Sequence, residues 1–66
     1  EYLKNFRRDL AKSKRTKPFR IFHDKTLLEI ASKRPTQLAE LAIVYGVGPK
    51  KLKKFGQMFL DALRDM

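Results

Sequence analysis

Apolar residues near the start of the chain recur at steps of three and four, which is the spacing of an amphipathic helix. Leu3, Phe6 and Leu10 form this stripe and predict a helix over about residues 1–14. Pro18 is expected to end this element, because proline has no amide donor and disfavours helical angles in the residue before it.

The next five residues, PFRIF (residues 18–22), alternate apolar and basic side chains. This pattern predicts an extended connection that places Ile21 or Phe22 inward. No second segment of this kind is present, so no sheet is expected. Asp24 follows, and its carboxylate can accept a hydrogen bond from a free amide, so we predict it as the N-cap of a second helix.

A second helix and a brief third helix are predicted from the middle of the chain. The apolar face of the second is formed by Leu27, Leu28, Ile30 and Ala31. Pro35 is expected to end it, and Thr36 to cap the third helix. The inward side chains of the third helix are predicted to be Leu38, Leu41 and Ala42.

A long last helix is predicted from Pro49 onward, because proline is favoured at the first position of a helix. Its apolar positions are Leu52, Phe55, Phe59, Ala62, Leu63 and Met66. Gly56 interrupts this pattern at a cost of about 1 kcal/mol relative to alanine, which indicates a kink or the close approach of another helix. The predicted fold class is all-α, a small bundle of four to five helices.

The length and the net charge of the chain limit the functions that it can have. The chain has 66 residues and no cysteine, so we expect one domain over residues 1–66, stabilised by apolar packing. Its 16 Lys and Arg against 7 Asp and Glu give a net charge of +9, which predicts a polyanionic partner. The excess is uneven: residues 1–23 contain eight basic and two acidic side chains, whereas residues 55–66 contain one basic and two acidic. The alternative interpretation is a solvated basic face.

Enzymatic chemistry has little support in the sequence. The one histidine, His23, precedes Asp24, a pair that could orient an imidazole as a general base, but an entrance to a helix is the favoured interpretation. The phosphate-binding motifs GxxxxGK[ST] and GxGxxG are both absent. We therefore expect no catalytic residue, no metal site and no cofactor. No apolar run reaches the roughly 20 residues that a membrane-spanning helix needs.

The segment YGVGPKKL (residues 45–52) is the first candidate for binding phosphate. Two glycines around a valine let the chain turn tightly, and the next helix begins with free amides at its positive end. Such a helix start attracts phosphate. The residues predicted to take part are Gly46, Gly48, Lys50, Lys51 and Lys54. The alternative is that the glycines only permit left-handed angles and that the lysines form the solvated face of a helix.

The segment KSKRTKPFRIF (residues 12–22) is the stronger candidate. Its five cations surround one aromatic residue; they are Lys12, Lys14, Arg15, Lys17 and Arg20, around Phe19. Cations that neutralise phosphates release counterions, and an exposed ring that stacks on a base contributes about 1–3 kcal/mol. The competing interpretation is that Phe19 is buried under the loop, which leaves only electrostatic attraction.

A resemblance to a known family extends over nearly the whole chain. The basic first helix, the connection ending IFHD, and the segments TLLEIASKRPTQLAEL and GVGPKKLKKFGQMFL together resemble the HRDC (helicase and RNase D C-terminal) domain of RecQ helicases. The resemblance rests on a set of residues that occur in the same order along the chain: Asp24, Leu27, Ile30, Ala31, Pro35, Leu38, Leu41, Gly46, Gly48, Lys51, Leu52, Phe55 and Gly56. The resemblance implies a helical bundle related to helix-hairpin-helix modules, with GVG as the hairpin.

The resemblance also implies an accessory role, with the motor or nuclease elsewhere in a longer chain. Some members bind single-stranded or partly duplex DNA through the first helix and the following loop, which here corresponds to Lys12, Lys14, Arg15, Lys17, Phe19 and Arg20. The loop aromatic is often tyrosine in RecQ relatives; Phe19 keeps the stacking surface and lacks the hydroxyl. We expect a monomeric, non-catalytic domain of a RecQ-type DNA helicase that binds single-stranded or junction-containing DNA without sequence specificity.

Two other functions share these features. One is a protein-interaction module that docks on the helicase core of the same chain or on an acidic partner. The other is an RNA-binding accessory domain of a ribonuclease D-type exonuclease, which would need a site sensitive to the 2′-hydroxyl. In each case the expected location is intracellular, in the cytoplasm or nucleoid of a bacterium or the nucleus of a eukaryote, with no membrane partner.

Overall fold

Five α-helices make up the computed structural model, which describes residues 2–66. They are α1 (Tyr2–Ser13), α2 (Pro18–Ile21), α3 (Asp24–Lys33), α4 (Leu38–Ala42) and α5 (Pro49–Arg64). No strand occurs in this range, so the prediction of an all-α bundle of four to five helices is confirmed. None of these helices is both long enough and apolar enough to cross a membrane.

The core is built around two fully buried rings, Phe22 and Phe59, whose centroids lie 4.9 Å apart in an edge-to-face arrangement. Phe6 of α1 packs edge-on against Phe59 at 5.0 Å, and Phe55 lies 6.2 Å from Phe22. Edge-to-face pairs of this kind contribute about 0.5–1.5 kcal/mol each beyond the area they bury. They hold α1, α5 and the connection between α2 and α3 together.

Residues 18–22 are not the extended connection that their alternating pattern predicted. Residues 18–21 form the one-turn helix α2, with Pro18 in its first turn. The missing amide of proline is no loss at that position, so a proline that ends one helix can begin the next. Ile21 and Phe22 are both fully buried, whereas only one of them was expected to point inward.

Asp24 is not the N-cap of α3; that position is occupied by His23, whose side chain makes no capping hydrogen bond. The carboxylate of Asp24 lies 2.7 Å from Arg7 Nη1 and 3.9 Å from Lys4 Nζ. The hydrogen bond and the charge of Arg7, and then the charge of Lys4, lower the pKa of the Asp24 carboxyl. Because Arg7 Nη1 also donates to the Phe22 carbonyl at 2.8 Å, it ties α1 to the entrance of α3.

Five predicted positions between α3 and the chain end need correction. Leu28 is 68% exposed, Leu38 is 42% exposed and Ala42 is exposed, because adjacent apolar residues on a short helix cannot all face one neighbour. Met66 at the chain end is half-exposed. Thr36 lies one residue before the N-cap of α4, Gln37, and its amide and hydroxyl donate to the Glu40 carboxylate at 2.7 and 2.9 Å.

Gly56 marks the close approach of a helix, one of the two predicted alternatives. It is buried in α5, and a Cβ built on it would lie 2.8 Å from Leu38 Cδ2 and 3.6 Å from Leu41 Cδ2. The absence of a side chain therefore lets α4 pack directly on the backbone of α5. Residues 43–48 form the hairpin that joins α4 to α5.

Candidate nucleic-acid interface

The hairpin between α4 and α5 requires glycine at one of its two glycine positions. Gly46 has a φ of +89°, and a Cβ there would overlap the hydroxyl of Thr26. Gly48 has a φ of −81°, and a Cβ there would meet no atom within 4 Å. The alternative interpretation, that the glycines permit left-handed angles, therefore applies to Gly46 and not to Gly48.

The hairpin is fastened to α3 by two hydrogen bonds at Tyr45. The buried Thr26 hydroxyl donates to the Tyr45 carbonyl at 3.0 Å, and the Tyr45 amide donates to Glu29 Oε2 at 3.3 Å. The hydrogen bond from the Tyr45 amide, followed by that from Lys33, lowers the pKa of the Glu29 carboxyl. These contacts hold the hairpin against α3.

The N-terminus of α5 presents free amides, as predicted. Pro49 stands at the start of the helix, and the first intrahelical bond runs from the Leu52 amide to the Gly48 carbonyl at 2.8 Å. The amides of Lys50 and Lys51 precede that bond and have no partner within the helix. The positive end of the helix dipole adds to the charge of these two lysines.

A groove of about 420 Å³ lies between the loop that joins α1 to α2 and the first turns of α5. We call it the basic groove, since five cationic side chains line it: Lys14, Arg20, Lys50, Lys51 and Lys54. Thr16, Ile21 and Phe55 complete its wall. Among residues 2–66, no carboxylate forms an ion pair with any of the five cations. The two segments singled out in the sequence therefore share one groove.

Four of the predicted binding residues do not line the basic groove: Lys12, Arg15, Lys17 and Phe19. All four are exposed. Phe19 is 50% exposed, and its ring stacks on His23 with centroids 6.1 Å apart, so it is neither buried under the loop nor free on both faces. No hydrogen bond joins His23 to Asp24 in the described part of the chain, so the orientation needed for a general base is not formed.

Gly46 and Gly48 line a second, shallower depression of about 490 Å³ together with Pro49, Lys50 and Lys51. Because the same two lysines also line the basic groove, the depression continues it around the start of α5. Thr16 lines the groove although it was not among the predicted residues; its place between Arg15 and Lys17 in the basic segment was the available signal.

Residues 1–63 match the family model described as the HRDC domain. The ATP-dependent DNA helicase RecQ of Bacillus subtilis is 36% identical over 64 residues, which cover 97% of this chain and 11% of that protein. The ATP-dependent DNA helicase UvrD2 of Mycobacterium tuberculosis is 36% identical over 62 residues, covering 94% of this chain and 9% of that protein. The solved RecQ HRDC domain 3 of D. radiodurans has a TM-score of 0.92 and 38% identity, covering 97% of this chain and 84% of that chain. The chain thus spans a small part of the helicases that it matches.

Proposed function

The chain belongs to the HRDC domain family, whose members are non-catalytic accessory domains, and we propose that its basic groove binds single-stranded or partly duplex DNA for a RecQ-type helicase. The family resemblance seen in the sequence is confirmed by the match over residues 1–63. One observation above all supports DNA binding: two distant segments bring five cations to one groove, and no carboxylate among residues 2–66 pairs with them.

Binding would be electrostatic. Each phosphate that contacts a lysine or arginine in the groove releases counterions from the strand, and the free amides of Lys50 and Lys51 add hydrogen-bond donors for a phosphate oxygen. The half-exposed ring of Phe19 precedes the groove residue Arg20 and offers one face to a base. Contacts to phosphates carry no sequence information, so recognition through the groove would be independent of sequence.

The partner enzyme is inferred from the relatives. The proteins from B. subtilis and M. tuberculosis are both ATP-dependent DNA helicases, and this chain corresponds to 11% and 9% of their lengths. We place the motor in another part of a longer intracellular protein. The domain would hold the displaced or incoming single strand close to that motor.

Two adjacent lysines of α5 provide a matched test. Lys54 lines the basic groove and Lys53 does not, while both are exposed. Lys54→Glu and Lys53→Glu change the net charge equally, so a long-range effect of charge would be the same in both. We expect Lys54→Glu to weaken binding of a labelled single strand, measured by fluorescence anisotropy at low salt, several times more than Lys53→Glu does. Equal affinities of the two variants would refute binding in the groove.

The two other functions give different results in the same assay. A domain that only docks on a protein would bind DNA weakly, and Lys54→Glu would have the affinity of the unmodified chain. An RNA-binding domain would prefer a ribose strand over the deoxyribose strand of the same sequence, because the 2′-hydroxyl is the group that distinguishes them. We expect measurable binding of the DNA strand without a preference for RNA.

A further inference from the structure

Tyr45, at the hairpin between α4 and α5, is more exposed than Phe19. It is 73% exposed, against 50% for Phe19, and Ile43 two residues before it is 77% exposed. Neither Tyr45 nor Ile43 contributes to the core, and neither lines the basic groove. A tyrosine combines a flat apolar ring with a polar hydroxyl, so an exposed ring of this kind offers a contact surface to a partner.

The backbone that carries Tyr45 is held rigidly. Both its amide and its carbonyl are bonded to α3, at 3.3 and 3.0 Å. The turn around it is closed by bonds from the Val44 amide to the Leu41 carbonyl and from the Val47 amide to the Val44 carbonyl, each 3.1 Å long. A ligand that stacks on the ring would therefore order only the side chain, which reduces the entropic cost of binding.

The surroundings of the ring are cationic. Lys25 Nζ lies 5.7 Å from the centroid of the Tyr45 ring, and Lys25 has no ion-pair partner within residues 2–66. Tyr45 directly precedes Gly46, which lines the depression that Lys50 and Lys51 join to the basic groove. The Glu29 carboxylate, which accepts the hydrogen bond from the Tyr45 amide, is also close, but it is paired with Lys33 at 3.2 Å. A partner that covers this ring therefore meets Lys25 as the unpaired charge beside it, which favours a polyanion over an apolar protein surface.

We infer that Tyr45 is a base-stacking residue for single-stranded nucleic acid, one residue before the depression that shares Lys50 and Lys51 with the basic groove. One nucleobase stacks on the ring, and Lys25 neutralises a phosphate of the same strand. This inference rests on the proposed function and extends it, since it assigns a base contact to a surface otherwise described only by its charge. It also makes Tyr45 a second aromatic contact in addition to Phe19.

A single tryptophan can report on the stacking directly. The chain contains no tryptophan, so Tyr45→Trp places the sole indole at this position. We expect its fluorescence to be quenched on titration with oligothymidylate of about 15 nucleotides, a length within the usual site sizes of single-strand binders. An abasic strand of equal length keeps the phosphates and lacks the bases, and we expect it to bind without this quenching.

The affinity of variants gives a second measurement. Tyr45→Ala should lower the affinity for oligothymidylate by about 5- to 150-fold, the range that loss of one base–aromatic stack produces. It should leave the affinity for the abasic strand unchanged, and Tyr45→Phe should bind both strands like the unmodified chain. Ile43→Ala is the control, because it removes an equally exposed apolar side chain two residues away.

The outcomes separate this inference from the proposed function. If Lys54→Glu weakens binding of oligothymidylate and Tyr45→Ala does not, the stacking role is overturned while binding in the groove stands. The stacking role is likewise overturned if the indole emission of the Tyr45→Trp variant does not respond to an oligothymidylate strand that binds. If neither Lys54→Glu nor Tyr45→Ala weakens binding, both the groove and the stacking residue are refuted.

Discussion

Replacing Lys50 and Lys54 by glutamine removes two of the five cations of the basic groove without breaking any ion pair of the described residues. If all five cations contact phosphates of a single strand, the logarithm of the affinity should fall with the logarithm of the salt concentration with a slope of about −3.5, at about 0.7 per contact. A fourfold rise in salt, from about 50 to 200 mM, then weakens binding about 130-fold.

The double variant Lys50→Gln/Lys54→Gln keeps three contacts, so the slope should become about −2.1 and the same rise in salt should weaken binding only about 18-fold. The control is Lys12→Gln/Lys53→Gln, which removes the same charge from two exposed positions outside the groove. Fluorescence anisotropy of a labelled oligothymidylate, repeated at four or more salt concentrations, gives each slope. A double variant with the slope of the unmodified chain, or a control with the slope of the double variant, would show that the phosphates lie elsewhere.

Three further predictions concern the scaffold. Gly46→Ala should lower the free energy of unfolding by about 2–3 kcal/mol, from a left-handed backbone that costs about 1–2 kcal/mol and the lost hydrogen bond of Thr26 to Tyr45 at about 1 kcal/mol. Gly48→Ser should not lower the free energy of unfolding, since serine is a favoured N-cap and its Cβ meets nothing within 4 Å. Urea denaturation measures this free energy for both variants, and an equal decrease in the two would contradict the different roles given to Gly46 and Gly48. Arg7→Gln should make the free energy of unfolding depend less on pH in the acid range. In the unmodified chain, the lowered pKa of Asp24 stabilises the fold above the ordinary value of 3.8, and this contribution is lost as the pH falls through the lowered pKa. If the free energy of unfolding of the two proteins changed equally with pH in this range, the ion pair of Arg7 and Asp24 would not contribute to stability.

The long helices could be predicted from the sequence because each buries a continuous apolar stripe. The predicted range of residues 1–14 extends one residue past the end of α1, while residue 1 lies outside the described residues, and Pro49 begins α5 as expected. Helix α2 could not be predicted in this way, since four residues contain little more than one turn and show no period. Leu28 was placed inward for the same reason: over a short window, only the neighbouring helices decide which of two adjacent leucines is covered.

The candidate site was predictable in its residue types but not in its shape. Local charge identified both basic segments. They are brought together because the α1–α2 loop packs against α5, and this packing depends on contacts between residues far apart in sequence. That packing brings Lys14 to the basic groove and leaves Lys12 outside it. Tyr45 was seen only as part of a turn, because the hydrogen bonds from Thr26 and to Glu29 that fix it come from α3.

The distribution of ion pairs along α5 bears on whether the basic groove is more than a solvated face. Near the end of the helix, Asp61 accepts a hydrogen bond from Gln57 at 3.0 Å and forms an ion pair with Arg64, so the positive charge of Arg64 is balanced by a neighbouring carboxylate. At the start, the groove lysines have no such partner among residues 2–66, and Arg20 faces them across the groove. Like charges gathered in this way repel one another and oppose folding. Burial of Ile21 and Phe55, each next in sequence to a groove cation, offsets that repulsion and keeps the cations together. A face kept only for solubility needs no such arrangement, whereas a polyanionic strand removes the repulsion when it binds.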